Sequence, residues 1–213
     1  MSLKKWHDLY KKYPNKDDYI EQEAKIRALE WTQKALTDKN TGDVAHVSYN
    51  SGENEWYTPP EFIESARIVM GSIDLDPASS DIANNIVNAT IYHTVETNGL
   101  NEKWEGNVWL NPPYAQPEIS QFAEKVVSEK ENFNQIIVLV NNATDTQWLQ
   151  SMMQISTAMC FVKTRVKFTD KYGDPGAPLQ GQVILYIGDY IKEFYNEFKK
   201  YGVCMKMMLS EGI

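Results

Sequence analysis

Four consecutive residues, Asn111-Pro112-Pro113-Tyr114, combine hydrogen-bond acceptors, a rigid backbone and an aromatic ring. The side-chain oxygen of Asn111 and the carbonyl of Pro112 could accept both N–H bonds of a planar amino group, which would localise the nitrogen lone pair. Successive prolines restrict the backbone and would hold these acceptors in place. Tyr114 offers a face on which a nucleobase could stack. The motif predicts a site that makes a base amino group nucleophilic, and the competing interpretation is a surface turn.

A second motif, Asp74-Leu75-Asp76-Pro77-Ala78-Ser79-Ser80, places acidic residues and then small ones at a predicted strand end. Small residues let a cofactor approach the backbone, and a carboxylate can pair with a positive amino group or with ribose hydroxyls. These features indicate a cofactor loop. An ordinary turn is the alternative, because Asp, Pro and Ser are common turn residues.

Two further segments carry weaker signals. Glu55-Trp56-Tyr57-Thr58-Pro59 could form a third wall of the pocket, but spacing alone favours a helix start capped by Thr58, with prolines in the first turn. Basic residues lie close together at Lys163, Arg165, Lys167 and Lys171. They predict either a local DNA-binding face or a solvated basic strand.

Alternating strand and helix patterns indicate the elements that position these motifs. Strands are predicted at 73–76, 90–93, 107–110, 136–140, 158–163, 183–187 and 203–209. Helices are predicted after Pro59, at 117–130, from Thr144, at 189–201 and, one or two of them, within 3–39, with a loop from 38 to 54. The pattern predicts an α/β fold with a mostly parallel, doubly wound sheet. Both main motifs follow strands, where ligands bind in such sheets.

Length and composition narrow the possible classes. With 213 residues, 42% of them hydrophobic, the chain should form one domain over 46–213 and a helical extension over 1–45. A net charge of −8 is unusual for a nucleic-acid enzyme, although it does not exclude a basic face. Cys160 and Cys204 lack metal-ligand spacing, so we expect buried thiols and no metal. Without a long apolar run or export segment, we expect a cytoplasmic protein that does not contact membranes.

Taken in order, these motifs resemble the phage-type DNA N-6-adenine methyltransferases, the Dam-like family. The resemblance covers about residues 53–188. Its motifs are Glu55-Trp56-Tyr57-Thr58-Pro59, Ile73-Asp74-Leu75-Asp76, Asn98-Gly99-Leu100 before Trp104, Asn107 to Tyr114, Thr144-Asp145-Thr146-Gln147-Trp148, Arg165-Val166-Lys167-Phe168, and Ala177-Pro178.

The resemblance implies a Rossmann-like fold, S-adenosyl-L-methionine as methyl donor, and adenine in double-stranded DNA as acceptor. It also implies a phage or prophage gene product that acts in the cytoplasm of a bacterial host. The implied cofactor residues are Tyr57, Thr58, Pro59, Asp74, Asp76, Ala78 and Ser79. The implied catalytic residues are Asn111, Pro112, Pro113 and Tyr114, and the implied DNA-binding residues are Lys163, Arg165, Lys167 and Phe168.

Other interpretations stay open. Ser79 and Ser80 stand where many methyltransferases have glycines, so the cofactor loop is expected to differ in shape. A planar amino group is also present in cytosine N4, in RNA bases and in protein amides, and each is an alternative acceptor. A binding module or host-factor decoy on the same fold, without catalysis, is the alternative from a different class.

Overall fold

Seven strands form one mixed sheet in the computed structural model, which describes residues 56–170, 176 and 180–208. The strands are β1 (Leu75–Asp76), β2 (Ile91–Tyr92), β3 (Gly106–Leu110), β4 (Phe133–Asn141), β5 (Ala158–Val162), β6 (Gln182–Ile187) and β7 (Gly202–Lys206). Their order across the sheet is β2-β1-β3-β4-β6-β5-β7.

Strand direction divides the sheet into two halves. β2, β1, β3 and β4 pair in parallel, whereas β4 with β6, β6 with β5 and β5 with β7 are antiparallel. A helix separates β4 from β5 in the chain, so β5 runs parallel to β4 but one strand away, and β6 fills the gap in the opposite direction. The predicted α/β Rossmann-like fold is confirmed, and the strands β1 and β3, which the two main motifs follow, belong to its parallel half.

Within the described residues, five α-helices cover the two faces of this sheet. They are α1 (Pro60–Met70), α2 (Asp81–Val87), α3 (Glu118–Ser128), α4 (Gln147–Ile155) and α5 (Ile191–Phe198). One core packs α1 and α5 on one face, and the other packs α3 and α4 on the opposite face. Successive residues of β4 from Ile136 to Val140 point alternately into the two cores, which explains why this part of the strand is a continuous apolar run. No described helix is long and apolar enough to cross a membrane.

Several local predictions are corrected. Pro59, not Thr58, occupies the N-cap of α1, and no side chain caps that end, because the helix begins at Pro60 and Thr58 lies one residue too far away. Val127 and Tyr195 fit the apolar helical patterns of the segments predicted at 117–130 and 189–201, which would turn them to the core, yet they are 38% and 51% exposed. The helix α2 was not predicted. Its Ser80 cap, which accepts a hydrogen bond from the Ala83 N–H at 3.2 Å, belongs to a segment whose composition is typical of a turn.

Some predictions fall outside the described residues. They are the helices within 3–39, the loop up to residue 54, the boundary between 45 and 46, Glu55, Lys171, Ala177-Pro178 and the end of the last predicted strand at 209.

Candidate active site

Three segments that are far apart in the sequence meet around Asn111. Tyr57 and Thr169 exchange two backbone hydrogen bonds, of 2.8 and 3.1 Å, in an isolated antiparallel bridge. The next residue, Thr58, contacts the Asn111 side chain, and Phe168 contacts the Tyr114 ring. The structure therefore brings together the Trp56–Pro59 motif, the Asn111–Tyr114 motif and the end of the basic segment, by which we mean residues Lys163 to Phe168.

The side-chain amide of Asn111 is held at both ends. Its Nδ2 donates to Thr58 Oγ1 at 3.0 Å, and its Oδ1 accepts from the Tyr114 hydroxyl at 2.9 Å. Asn111 follows β3 directly and is half-buried, and Pro113 is exposed. The predicted corner therefore lies at the surface, at the carboxyl end of a parallel strand, with its amide in a defined orientation.

Tyr114 contacts the site with both its hydroxyl group and its ring. Its hydroxyl also lies 3.2 Å from the carbonyl oxygen of Leu139, and its ring meets Phe168 edge to face at a centroid distance of 6.3 Å. Burial raises the pKa of the Tyr114 phenol well above its usual range. The hydroxyl therefore stays protonated at physiological pH and acts as a donor to Asn111.

Asp76 ends β1, the strand that pairs in parallel with β3, so it lies at the same edge of the sheet as Asn111. The carboxyl group is buried, and burial raises its pKa to about 7. The Ala78 N–H, which donates to Oδ1 at 3.2 Å, and the nearby Ser79 hydroxyl oppose this rise. Among the described residues, no basic side chain forms an ion pair with Asp76.

Ser79 supplies an unsatisfied polar atom to the same loop. Its Oγ is buried and makes no hydrogen bond of normal geometry, although it lies close enough to Asp76 to lower the carboxyl pKa. Buried hydroxyls without partners are uncommon, because the lost hydration is not replaced. The loop therefore presents a buried acid and a free hydroxyl, which suit a polar ligand with a positive charge.

The loop is supported by backbone contacts that the sequence interpretation did not assign. The Ser79 N–H donates to the His93 carbonyl, and the His93 N–H donates to the Asp76 carbonyl. Gly99 lies so close to Pro77 that a side chain there would collide with the Pro77 carbonyl. The only sequence signal for this support was the Asn98-Gly99-Leu100 motif, whose glycine permits the close approach.

Asp74 lies at a different place from Asp76. Its Oδ1 accepts from the Ser72 hydroxyl and its Oδ2 from the Asn107 N–H, both at 2.8 Å. Asn107 lies at the start of β3, whereas Asn111 follows its end. Oδ1 thus fixes the chain just before β1, and Oδ2 joins it to β3. The cofactor role of Asp74 stays a prediction that no contact among these supports.

The basic segment follows β5 and is not part of that strand. Lys163, Arg165 and Lys167 are exposed, whereas Val166 is buried and its N–H donates to Gln182 Oε1 at 3.0 Å. Val166 anchors the segment, and the basic side chains lie outside. Because Phe168 contacts Tyr114, this charged surface adjoins the Asn111 corner.

The parallel core, the acidic loop after β1 and the prolyl corner after β3 define a Rossmann-like methyltransferase fold. Residues 47–201 match the sequence model of the family described as DNA N-6-adenine-methyltransferase (Dam), and the chain belongs to this family. One similar protein is the DNA N-6-adenine-methyltransferase of Escherichia phage T1, 34% identical over 110 residues. The match covers 51% of this chain and 44% of the phage protein, so the chain spans less than half of its length.

Proposed function

We propose that this chain transfers a methyl group from S-adenosyl-L-methionine to the 6-amino group of adenine in double-stranded DNA. The observation that carries the proposal is the Asn111 amide, held by Thr58 and Tyr114 at the sheet edge that also bears Asp76. Membership of the family supports adenine as the acceptor. The exposed lysines and arginine beside Phe168 supply the charge expected for phosphate contacts.

The donor fits the loop after β1. S-adenosyl-L-methionine supplies a methyl group bonded to a positively charged sulfur. Asp76 and Ser79 would hold its polar groups, because one is a buried acid without a described cation and the other a buried hydroxyl without a partner. Ala78, Tyr57 and Pro59 would complete the walls, the last two being buried beside Thr58. The family resemblance assigns these positions to the donor.

On the acceptor side, the task of the chain is to make a poor nucleophile reactive. The adenine amino nitrogen shares its lone pair with the ring. Asn111 Oδ1 and the Pro112 carbonyl would accept its two N–H bonds and localise the pair on nitrogen. Tyr114 stays protonated, so its hydroxyl orients the Asn111 amide and does not remove a proton from the substrate.

The direct test is incubation of the full chain with isotopically labelled donor and unmethylated duplex DNA, followed by nucleoside analysis. Label is expected in N6-methyladenine. Label in methylcytosine or protein, with none in methyladenine, would refute the adenine assignment. DNA binding without transfer at any donor concentration would identify a non-catalytic module.

Replacing Tyr114 by alanine should weaken engagement of the target base. An extruded base that stacks on an aromatic ring gains about 1–3 kcal/mol, so KM for duplex DNA should rise roughly 5- to 150-fold. The rise should be smaller for a mismatched target, because less energy is needed to extrude it. Steady-state kinetics on matched and mismatched duplexes measure this difference. Tyr114→Phe keeps the ring but loses the hydroxyl that orients Asn111, so its KM should stay near that of the unaltered chain while its kcat falls. Equal rises of KM on both duplexes in Tyr114→Ala would contradict stacking.

Removing two lysines of the basic segment should reduce the salt dependence of DNA binding. Each phosphate contact adds about −0.9 to the slope of log K against log salt. The variant Lys163→Ala/Lys167→Ala should therefore flatten the slope by about 2, measured by fluorescence anisotropy between about 50 and 200 mM salt.

The matched control for this charge change is Lys103→Ala/Lys130→Ala. These two exposed lysines precede β3 and β4, at the opposite edge of the sheet from Asn111. The control should leave the slope unchanged. Equal flattening in both double variants would mean that DNA does not contact the basic segment specifically.

A further inference from the structure

We infer that Thr58 is a positioning residue, which holds the Asn111 amide in the orientation that the methyl transfer requires. The inference rests on the proposed function and reassigns Thr58 from the donor site, where the family resemblance placed it, to the acceptor side. Its basis is the 3.0 Å hydrogen bond from Asn111 Nδ2 to Thr58 Oγ1, which joins residues 53 positions apart in the chain.

Thr58 is well suited to hold another side chain because its own position is fixed. The side chain is buried, with 6% exposed. On one side, Tyr57 is paired with Thr169 through two backbone hydrogen bonds. On the other side, Pro59 and Pro60 begin α1, and the Thr58 hydroxyl does not cap that helix. The hydroxyl therefore has a fixed position and no competing structural task at the helix end.

The orientation of an amide matters because its two ends are chemically opposite. A rotation of the Asn111 amide by half a turn exchanges an acceptor for a donor, and a donor in the acceptor's place would repel the N–H bonds of the substrate. Thr58 binds the Nδ2 end and Tyr114 the Oδ1 end. Two contacts on one amide restrain its rotation, so loss of the Thr58 contact should reduce the productive fraction of molecules.

Valine and serine separate the hydroxyl of Thr58 from its shape. Thr58→Val keeps the branched shape but removes the oxygen, and Thr58→Ser keeps the oxygen. We expect kcat to fall roughly 10- to 100-fold in Thr58→Val, with donor Kd unchanged within about twofold. Thr58→Ser should recover most of kcat. Steady-state kinetics on DNA and calorimetric titration with S-adenosyl-L-methionine give the two quantities.

A control variant tests whether any loss of a threonine hydroxyl lowers activity. Thr157→Val removes a hydroxyl that donates to the Gly188 carbonyl at 2.8 Å. Thr157 lies just before β5, at the opposite edge of the sheet from Asn111. It should leave kcat unchanged. An unchanged kcat in Thr58→Val, or a higher donor Kd with kcat intact, would overturn the inference and return Thr58 to the donor site.

Failure of the proposed function has a different signature. If the unaltered chain does not methylate adenine, the activity assignment fails whatever Thr58 does. The positioning role then has its own readout in the NMR signals of the Asn111 side-chain NH₂ group, assigned by comparison with Asn111→Ala. Thr58→Val should speed the solvent exchange of these protons at least several-fold, and Thr58→Ser should not. Equal exchange in the unaltered chain, Thr58→Val and Thr58→Ser would overturn the positioning role independently of activity.

Discussion

Replacing Asn111 by alanine should lower kcat for adenine methylation by about 10²–10³-fold, with donor Kd unchanged within about twofold. In the proposed reaction, the Asn111 oxygen acts mainly in the transition state, when the lone pair of the amino nitrogen becomes localised. An interaction made only then contributes to kcat and little to ground-state binding. Single-turnover kinetics with saturating donor, together with calorimetry of donor binding, separate the two effects.

Two companion variants make this result specific. Asn111→Asp keeps an acceptor oxygen and should retain more activity than alanine. Asn134→Ala removes an exposed amide elsewhere, on β4, and should have no effect. An unchanged kcat in Asn111→Ala would count decisively against the proposed reaction centre. A simultaneous loss of donor binding would mean that the alanine variant disturbs the pocket as a whole.

Features encoded in a short stretch of sequence could be predicted. The apolar run of β4 and the proline stop after β3 are local signals, and they placed Asn111 at a strand end. The structure also confirms a sheet edge at which the loop after β1 and the corner after β3 are neighbours. The antiparallel direction of β6 could not be predicted, since a buried apolar run has the same pattern in either direction.

Contacts between distant segments could not be predicted. The Thr58–Asn111 and Tyr114–Phe168 contacts join residues more than 50 positions apart, and nothing in either local pattern identifies the partner. Thr58 illustrates the difficulty, because its local pattern indicated a helix cap. Its hydroxyl binds Asn111 instead, since the Tyr57–Thr169 bridge places Thr58 beside Phe168, which contacts Tyr114 of the Asn111 motif.

Asp74 and Asp76 differ in environment although they are identical in type and only two positions apart. Asp74 accepts two hydrogen bonds of 2.8 Å, one from Ser72 before β1 and one from Asn107 in β3, whereas buried Asp76 accepts one hydrogen bond among those that the structure describes. Composition does not distinguish two such carboxylates. The distinction depends on where β1 ends. Replacement by asparagine is therefore expected to change the free energy of unfolding in opposite directions at the two positions.

Asp76→Asn should stabilise the unliganded protein at pH 8. The Asp76 pKa is raised from 3.8 to about 7 in the fold, so the folded state binds more protons than the unfolded state between these values. Stability therefore falls as pH rises through this window. At pH 8 the buried charge costs at most about 4 kcal/mol, the equivalent of three pKa units, and asparagine removes it. Urea unfolding at pH 4 and pH 8 should show a gain at pH 8 only.

Asp74→Asn is the matched control, with the opposite sign. Its carboxylate accepts hydrogen bonds from Ser72 and Asn107, and asparagine keeps only one acceptor oxygen, so one of the two donors loses its charged acceptor. The free energy of unfolding should fall by about 1–3 kcal/mol at pH 8. A loss of similar size in both variants would show that Asp76, too, serves the fold.

The same charge that destabilises the unliganded fold should strengthen donor binding. If the Asp76 carboxylate pairs with a positive group of the donor, only the ionised form binds well. That form rises from about 10% at pH 6 to about 90% at pH 8, so donor affinity should increase close to tenfold. The donor's own amino group titrates near this range, so the informative quantity is the affinity ratio of the unaltered chain to Asp76→Asn. A ratio that does not change with pH would mean that the donor does not contact this carboxyl.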